Sequence, residues 1–330
     1  MQATVPHVRH GVPSIRVVRR VVARRAHASG AMTARAWLML AFLSVLWGSG
    51  TWFNRVAVQD VGPMTVVASR VGLAALMLWL VMRARGIPVR WRGEDWVPYT
   101  VMGVLNTAVP FTLIAVGLTR IDSGLAGILL ATTPLFTMMI ARMVSPAEHL
   151  TRVKLLGVGA GLAGVMVIMG VSSGSITAGS GLAKLAILGA ALAYGVSGVY
   201  GATLRDHEPL SLAWGQLVVS TAVLLPFAVV WERPFDGGGW PVEAVWSIAA
   251  LAVLSTGLRY LVFYRLLGEI GATRTSMAGF LVPVSSVLLG CLFLGERLHS
   301  SQIGGMLLVV AGLAAASGAF QRGPLPARAG

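Results

Sequence analysis

An arginine in the middle of an apolar run demands an explanation, and this chain has one at Arg259, within the apolar stretch 244–267. An isolated charge at the centre of a bilayer costs about 3 kcal/mol or more, so it faces a cavity or a partner. Helical spacing puts Ser255 and Phe263 on its face, with Tyr260 and Tyr264 alongside. A fixed cation in that setting could bind an anionic group such as a carboxylate. The alternative is an arginine satisfied by helix carbonyls or snorkelling to one interface. Arg70 lies in the apolar stretch 63–82 and poses the same choice: cavity, or headgroups near its helix end. No Asp or Glu lies in the core of any apolar stretch to neutralise either cation.

The residues around these arginines occur in pairs. A segment of about 50 residues is present twice, from Leu118 through Pro134 and Glu148 to Gly164, and from Leu267 through Pro283 and Glu296 to Gly312. The prolines are 149 apart, and the glutamates and glycines 148. This internal duplication sets the architecture. Carried along the chain, it matches Arg70 with Gln216, Trp47 with Tyr194 and Pro110 with Arg259. Asn106, Phe111, Tyr260 and Tyr264 complete the set expected around a central cavity. Aromatic side chains there could stack on a solute, or they could simply pack.

Pro134 and Pro283 fall at the centres of the fourth and ninth apolar stretches, freeing the carbonyls of Leu130 and Gly279. In a membrane such groups survive only against protein or a wet cavity, so these prolines are read as hinges or tolerated kinks. Pro110 is a weaker case of the same kind. Glu148 and Glu296 close their stretches, and their repetition points to capping of the following helix. Proton coupling is the alternative, and their place near the interface argues against it. Small residues at every fourth position (Gly189, Ala193, Ser197, Gly201) and the run Gly157, Gly161, Gly164 read as helix-packing seams.

Ten apolar stretches are long enough to cross a bilayer: 36–54, 63–82, 96–119, 124–143, 152–170, 181–203, 209–231, 244–267, 273–294 and 301–320. The composition agrees, at 56% hydrophobic and 12% charged, against about a quarter charged for a soluble domain. The expected fold is all-α and integral to the membrane: a tail over 1–35, five helices over 36–170, five more over 181–320, and a short tail 321–330.

With the N-terminus placed in the cytoplasm, 19 Lys and Arg fall on that side and 5 on the other, which puts both termini inside. An odd number of spans per half then makes the repeat an inverted one, the architecture of secondary transporters. Seven arginines and no acid among the first 35 residues supply half of the net charge of +14. That charge is therefore no sign of nucleic-acid binding. The expected start of translation is Met32.

Several functions are disfavoured. The six histidines all lie in tails or connections and Cys291 stands alone, so no metal or other cofactor is expected. A lipid-modifying membrane enzyme would need a nucleophile or an acid/base pair that is not evident. A channel would need a polar stripe. Primary active transport would need a nucleotide-binding loop.

Trp47-Gly48-Ser49, Pro63, Ser69-Arg70, Ala131-Thr132-Thr133-Pro134, Phe280-Leu281-Val282-Pro283 and Leu294-Gly295-Glu296-Arg297-Leu298 together resemble EamA-type transporters of the drug/metabolite transporter superfamily. The resemblance covers about 36–320. It implies ten helices in two repeats and export or exchange of a small solute. It does not say which, since members handle amino acids, sugars, phosphorylated sugars and cationic drugs. The expected partners are a small molecule and the bilayer, with the protein a monomer or weak homodimer.

Overall fold

The computed structural model describes residues 33–89, 93–144, 152–169, 178–204, 207–234, 236, 239–270, 275 and 278–316. Glu148 and the expected start at Met32 lie outside these residues. Residues up to Trp37 group apart from the compact unit Leu38–Gly330, which holds every contact discussed below.

Every regular element among the described residues is helical. Helix α1 spans Ala34–Ala57 and α2 spans Pro63–Ala84. Proline opens α2 at its first position, where its missing N–H costs nothing. Gly86, at φ 65°, closes it in the left-handed conformation that glycine adopts without strain. Helix α3 covers Gly93–Leu118 and widens into a π turn at Val104–Ala108. Helices α4 (Ser123–Leu130), α5 (Thr133–Val144), α6 (Arg152–Met169) and α7 (Ala178–Gly201) follow. Helix α8 covers Pro209–Glu232, and the Glu208 carboxylate caps it by accepting from the Ser211 N–H. Helix α9 begins at Val242–Ala252, passes through a π turn at Val253–Leu258, and continues as Arg259–Ile270. Helices α10 (Ala278–Leu294) and α11 (Ser300–Ala316) complete the set.

Seven helical runs are long and apolar enough to span a bilayer, and the apolar parts of α6, α10 and α11 are shorter. The fourth expected stretch is not one continuous helix. It breaks at Ala131-Thr132, so Pro134 sits at the second position of α5 rather than mid-helix. The carbonyls left by the break are taken locally, because the Thr132 and Thr133 hydroxyls donate to the Leu129 and Leu130 carbonyls, each at 2.7 Å. The Leu130 carbonyl therefore has a partner within the protein. Pro283 does lie within a helix, in the second turn of α10.

The exterior is what a lipid solvent requires. Leu156, Leu182, Val230, Trp231, Trp246 and Leu292 are all exposed. The interior is held by close backbone approach. A Cβ on Gly312 of α11 would land on the Gly157 carbonyl and come within 2.6 Å of the Gly161 N–H nitrogen on α6. A Cβ on Gly164 would meet the Gly305 carbonyl at 2.6 Å. The α6 seam expected from the sequence thus has α11 as its partner.

Candidate functional site

Two of the three π turns among the described residues place the chemistry, while the third, Ala228–Glu232, ends α8. A π turn carries one residue more than an α turn, leaves its backbone bonding loose, and occurs often at functional sites. In α9 it presents consecutive residues to two arginines. Arg70, on α2, donates through Nε to the Thr256 hydroxyl at 2.8 Å. Arg259 donates through Nε to the Ser255 carbonyl at 2.9 Å. Arg70 is only 6% exposed, so the headgroup reading of this residue is overturned. The reason is local: Thr256 and the Phe111 ring hold it inward, with the guanidinium 4.0 Å from the ring centroid.

Arg259 lies over two rings, 5.2 Å from the Trp47 centroid and 4.5 Å from that of Tyr260. Tyr260, expected on an adjoining face, is thus in direct contact with the cation. Tyr264 stacks on Tyr260 at 6.0 Å, and Phe263 contacts Tyr264 edge-on. Tyr194, Arg259 and Tyr260 all lie near Arg70. Ser49 and Ser255 join hydroxyls at 3.0 Å, tying α1 to the π turn.

The π turn of α3 carries Asn106, which anchors a polar chain. Asn106 donates to the Gln216 Oε1 at 3.0 Å and accepts from the Ser197 hydroxyl at 3.1 Å. Gln216 in turn donates to the Tyr260 hydroxyl at 2.7 Å. The Asn106 and Gln216 expected at the cavity are therefore joined to the ring beneath Arg259. Ser197, read from its spacing as a seam residue, belongs to this chain as well. Pro110 follows the same π turn, at the second position of the helical segment Val109–Leu118, and is buried.

Sequence reasoning placed Ser255 beside Arg259, and missed Ser49 and Thr256 as partners. A serine or threonine in an apolar helix commonly bonds a carbonyl three or four residues back, so its presence alone carries no signal. It also missed Glu232. The Glu232 carboxylate, at the end of α8, accepts from the Met64 and Thr65 N–H groups at 2.9 and 2.7 Å, closing the N-terminus of α2. Glu296 acts likewise, but on a different helix from the one expected. It accepts from Ser123 and Gly124 at 2.7 and 2.9 Å, capping α4 instead of α11. Gly295, at φ 64°, makes the turn that aims Glu296 back across the bundle.

Beside that second cap is a cavity of about 320 Å³ lined by Arg55, Val56, Gln59, Asp60, Asp122, Leu294 and Glu296. Burial, reinforced by the Glu296 carboxylate, pushes the Asp122 carboxyl above its usual range, with Arg55 and His299 opposing. A carboxyl raised in the folded state is penalised when ionised. That penalty is full at neutral pH and fades as pH falls through the raised pKa. Asp122→Asn is accordingly expected to melt higher than the natural protein at pH 7 and to gain less on mild acidification. Melting curves in detergent between pH 7 and 5 check this, and a lower melting point for the variant at pH 7 would contradict it.

A model of the EamA-like transporter family matches the chain twice, over residues 35–170 and 181–318. Among similar proteins, the Bacillus subtilis "Uncharacterized transporter YoaV" is 29% identical over 281 residues, 84% of this chain and 95% of that one. The "Probable amino-acid metabolite efflux pump" of Salmonella typhimurium is 25% identical over 297 residues, covering 86% and 94%. A solved crystal structure at 18% identity superimposes with a TM-score of 0.61 over 86% of this chain and 97% of its own, a likeness of fold alone. With both matched segments spanning the helices that carry the arginine cluster, the chain belongs to the EamA-like transporter family and is a multi-pass membrane transporter, not an enzyme.

Proposed function

We propose that the chain is a secondary transporter, an exporter or exchanger of a small organic solute such as an amino acid or related metabolite. The carrying observation is the arginine cluster. Arg70 and Arg259 are anchored on adjacent residues of one π turn, among rings from α1, α3 and α9. Elements of both matched segments converge there, as expected when a solute site lies at the interface of two repeats. Alternating access follows from the same symmetry. With α4 and α5 taken together as one crossing, and the shorter α6, α10 and α11 counted as crossings, the chain has ten spans as two inverted five-helix halves. The 19-to-5 distribution of Lys and Arg puts both termini in the cytoplasm and the protein in the cytoplasmic membrane. One chain supplies both halves of the site, which favours a working monomer. Export of cationic drugs is the competing reading, and two fixed cations oppose it.

Counterflow of a labelled panel into proteoliposomes tests the proposal, with amino acids and organic anions set against cationic dyes. Uptake of an amino acid or anion that falls at least tenfold in Arg259→Gln is the expected result. Dye uptake indifferent to the substitution would remove Arg259 from the site and favour the competing reading.

A further inference from the structure

Resting on the transporter reading above, we infer that the solute carries two negative charges on oxyanion groups, and that the carrier crosses between its two states only when loaded, as an obligatory anion exchanger. The first argument is charge balance. Arg70 is 6% exposed and Arg259 partly buried, and both lie within helices that cross the apolar layer. Among the described residues neither guanidinium has a carboxylate partner. Arg70 and Arg259 are anchored instead on the adjacent residues Thr256 and Ser255, which holds two like charges near one another. Two like charges held together in a poorly solvated interior are costly unless a counter-charge joins them. An alternating-access carrier must pass through an occluded state in which water is excluded, and there the cost is greatest.

The second argument is donor geometry. Each arginine spends Nε on the protein, Arg70 on the Thr256 hydroxyl and Arg259 on the Ser255 carbonyl. These bonds fix each guanidinium while leaving its terminal nitrogens for a planar or tetrahedral oxyanion, the group that such a fork matches in shape. Both anchors belong to the same π turn, so the two forks are set by one short piece of backbone.

The third argument concerns what the site does not offer a zwitterion. An ammonium group would seek a carboxylate or the open face of an aromatic ring. The rings of Phe111, Trp47 and Tyr260 are already engaged by the guanidiniums. A neutral zwitterion would bring one negative charge to two cations and add a third positive charge beside them. A solute with two oxyanion charges neutralises both arginines at once. Exchange of one such solute for another moves no net charge, and the empty carrier stays where it is.

The experiment uses the full chain in proteoliposomes preloaded with labelled succinate, or in a parallel arm with labelled glycerol 3-phosphate, at neutral pH. The two arms separate a dicarboxylate from a phosphate ester as the source of the charge. Efflux is followed into buffer with and without the same unlabelled solute outside. In at least one arm, efflux is expected to be at least tenfold faster with solute outside, and unaffected by an imposed membrane potential. Arg70→Gln should lose that dependence on external solute, while Arg70→Lys, which keeps the charge but not the fork, should retain it at lower affinity. If Arg70→Gln does not fold, Arg259→Gln serves as the second variant with the same expectation. Equal efflux with and without external solute would overturn obligatory exchange. Counterflow of a neutral amino acid with neither dianion carried would overturn this inference and leave the transporter proposal standing. No counterflow of any solute class would remove both.

Discussion

Gly312→Val is expected to separate α11 from α6 and to lower stability by about 3 kcal/mol or more. Overpacking a well-filled interior typically costs about 1–3 kcal/mol when side chains can adjust. Here the obstacle is backbone. The first added carbon would overlap the Gly157 carbonyl and lie 2.6 Å from the Gly161 nitrogen, and neither can rotate aside. Relief requires the two helix axes to move apart, which also opens the reciprocal contact of Gly164 with the Gly305 carbonyl. Because lipid competes with protein for apolar contact, a membrane helix pair has little besides this close fit to hold it. Gly304→Ala on the same helix is the control, since a Cβ there has nothing within 4 Å. Thermal melting in detergent should show a large drop for the first variant and almost none for the second. Equal melting points would mean that the seam is not tight.

Gln216→Leu is expected to produce the other large effect, and on function as well as stability. Gln216 is 1% exposed, and its amide bridges Asn106 and the Tyr260 hydroxyl. Leucine leaves the partly buried Asn106 amide without its acceptor and the buried Tyr260 hydroxyl without its donor, at about 1–3 kcal/mol for the buried group and less for the other. Tyr260 also loses the bond that orients its ring beneath Arg259. Counterflow of the solute should therefore fall about tenfold alongside the drop in melting temperature. The double variant Asn106→Leu/Gln216→Leu separates the two effects, because removing both partners is cheaper than stranding one. It should recover part of the stability and none of the transport. If transport returns with stability, the network is structural scaffolding and does not position Tyr260.

Much of the positioning of this site was legible in the residues. The apolar lengths and the paired Pro…Glu spacing foretold a helical membrane protein, and a charge amid an apolar run singled out Arg259. Three features escaped for physical reasons. Pro134 shares its spacing with Pro283, yet two threonine hydroxyls beside it stabilise an interrupted helix where α10 continues. A π turn has no composition of its own, since it is a slip in backbone pairing, so Val104–Ala108 and Val253–Leu258 read as ordinary helix. Glu232 and Glu296 bond N–H groups 168 and 173 residues away in sequence. Local patterning therefore suggested the adjacent helix for Glu296 and no role for Glu232.

The π turn of α9 amounts to a residue inserted into a helix that did not lengthen to accommodate it. Each residue of an α-helix turns the chain by about 100°. Deleting one residue between Val253 and Leu258 would restore plain α-helix with both flanks in register, whereas the same residue count wound as plain α-helix would swing everything beyond it through that angle. Arg259, Tyr260 and Tyr264 would leave the interior together, while Val242–Ala252 kept its seat. The span would still satisfy a bilayer by length and hydropathy. Within this architecture, then, a single insertion or deletion exchanges the set of side chains facing the interior only where no π turn absorbs it. Change of solute is open to such a chain by a route that substitution of one residue at a time does not provide.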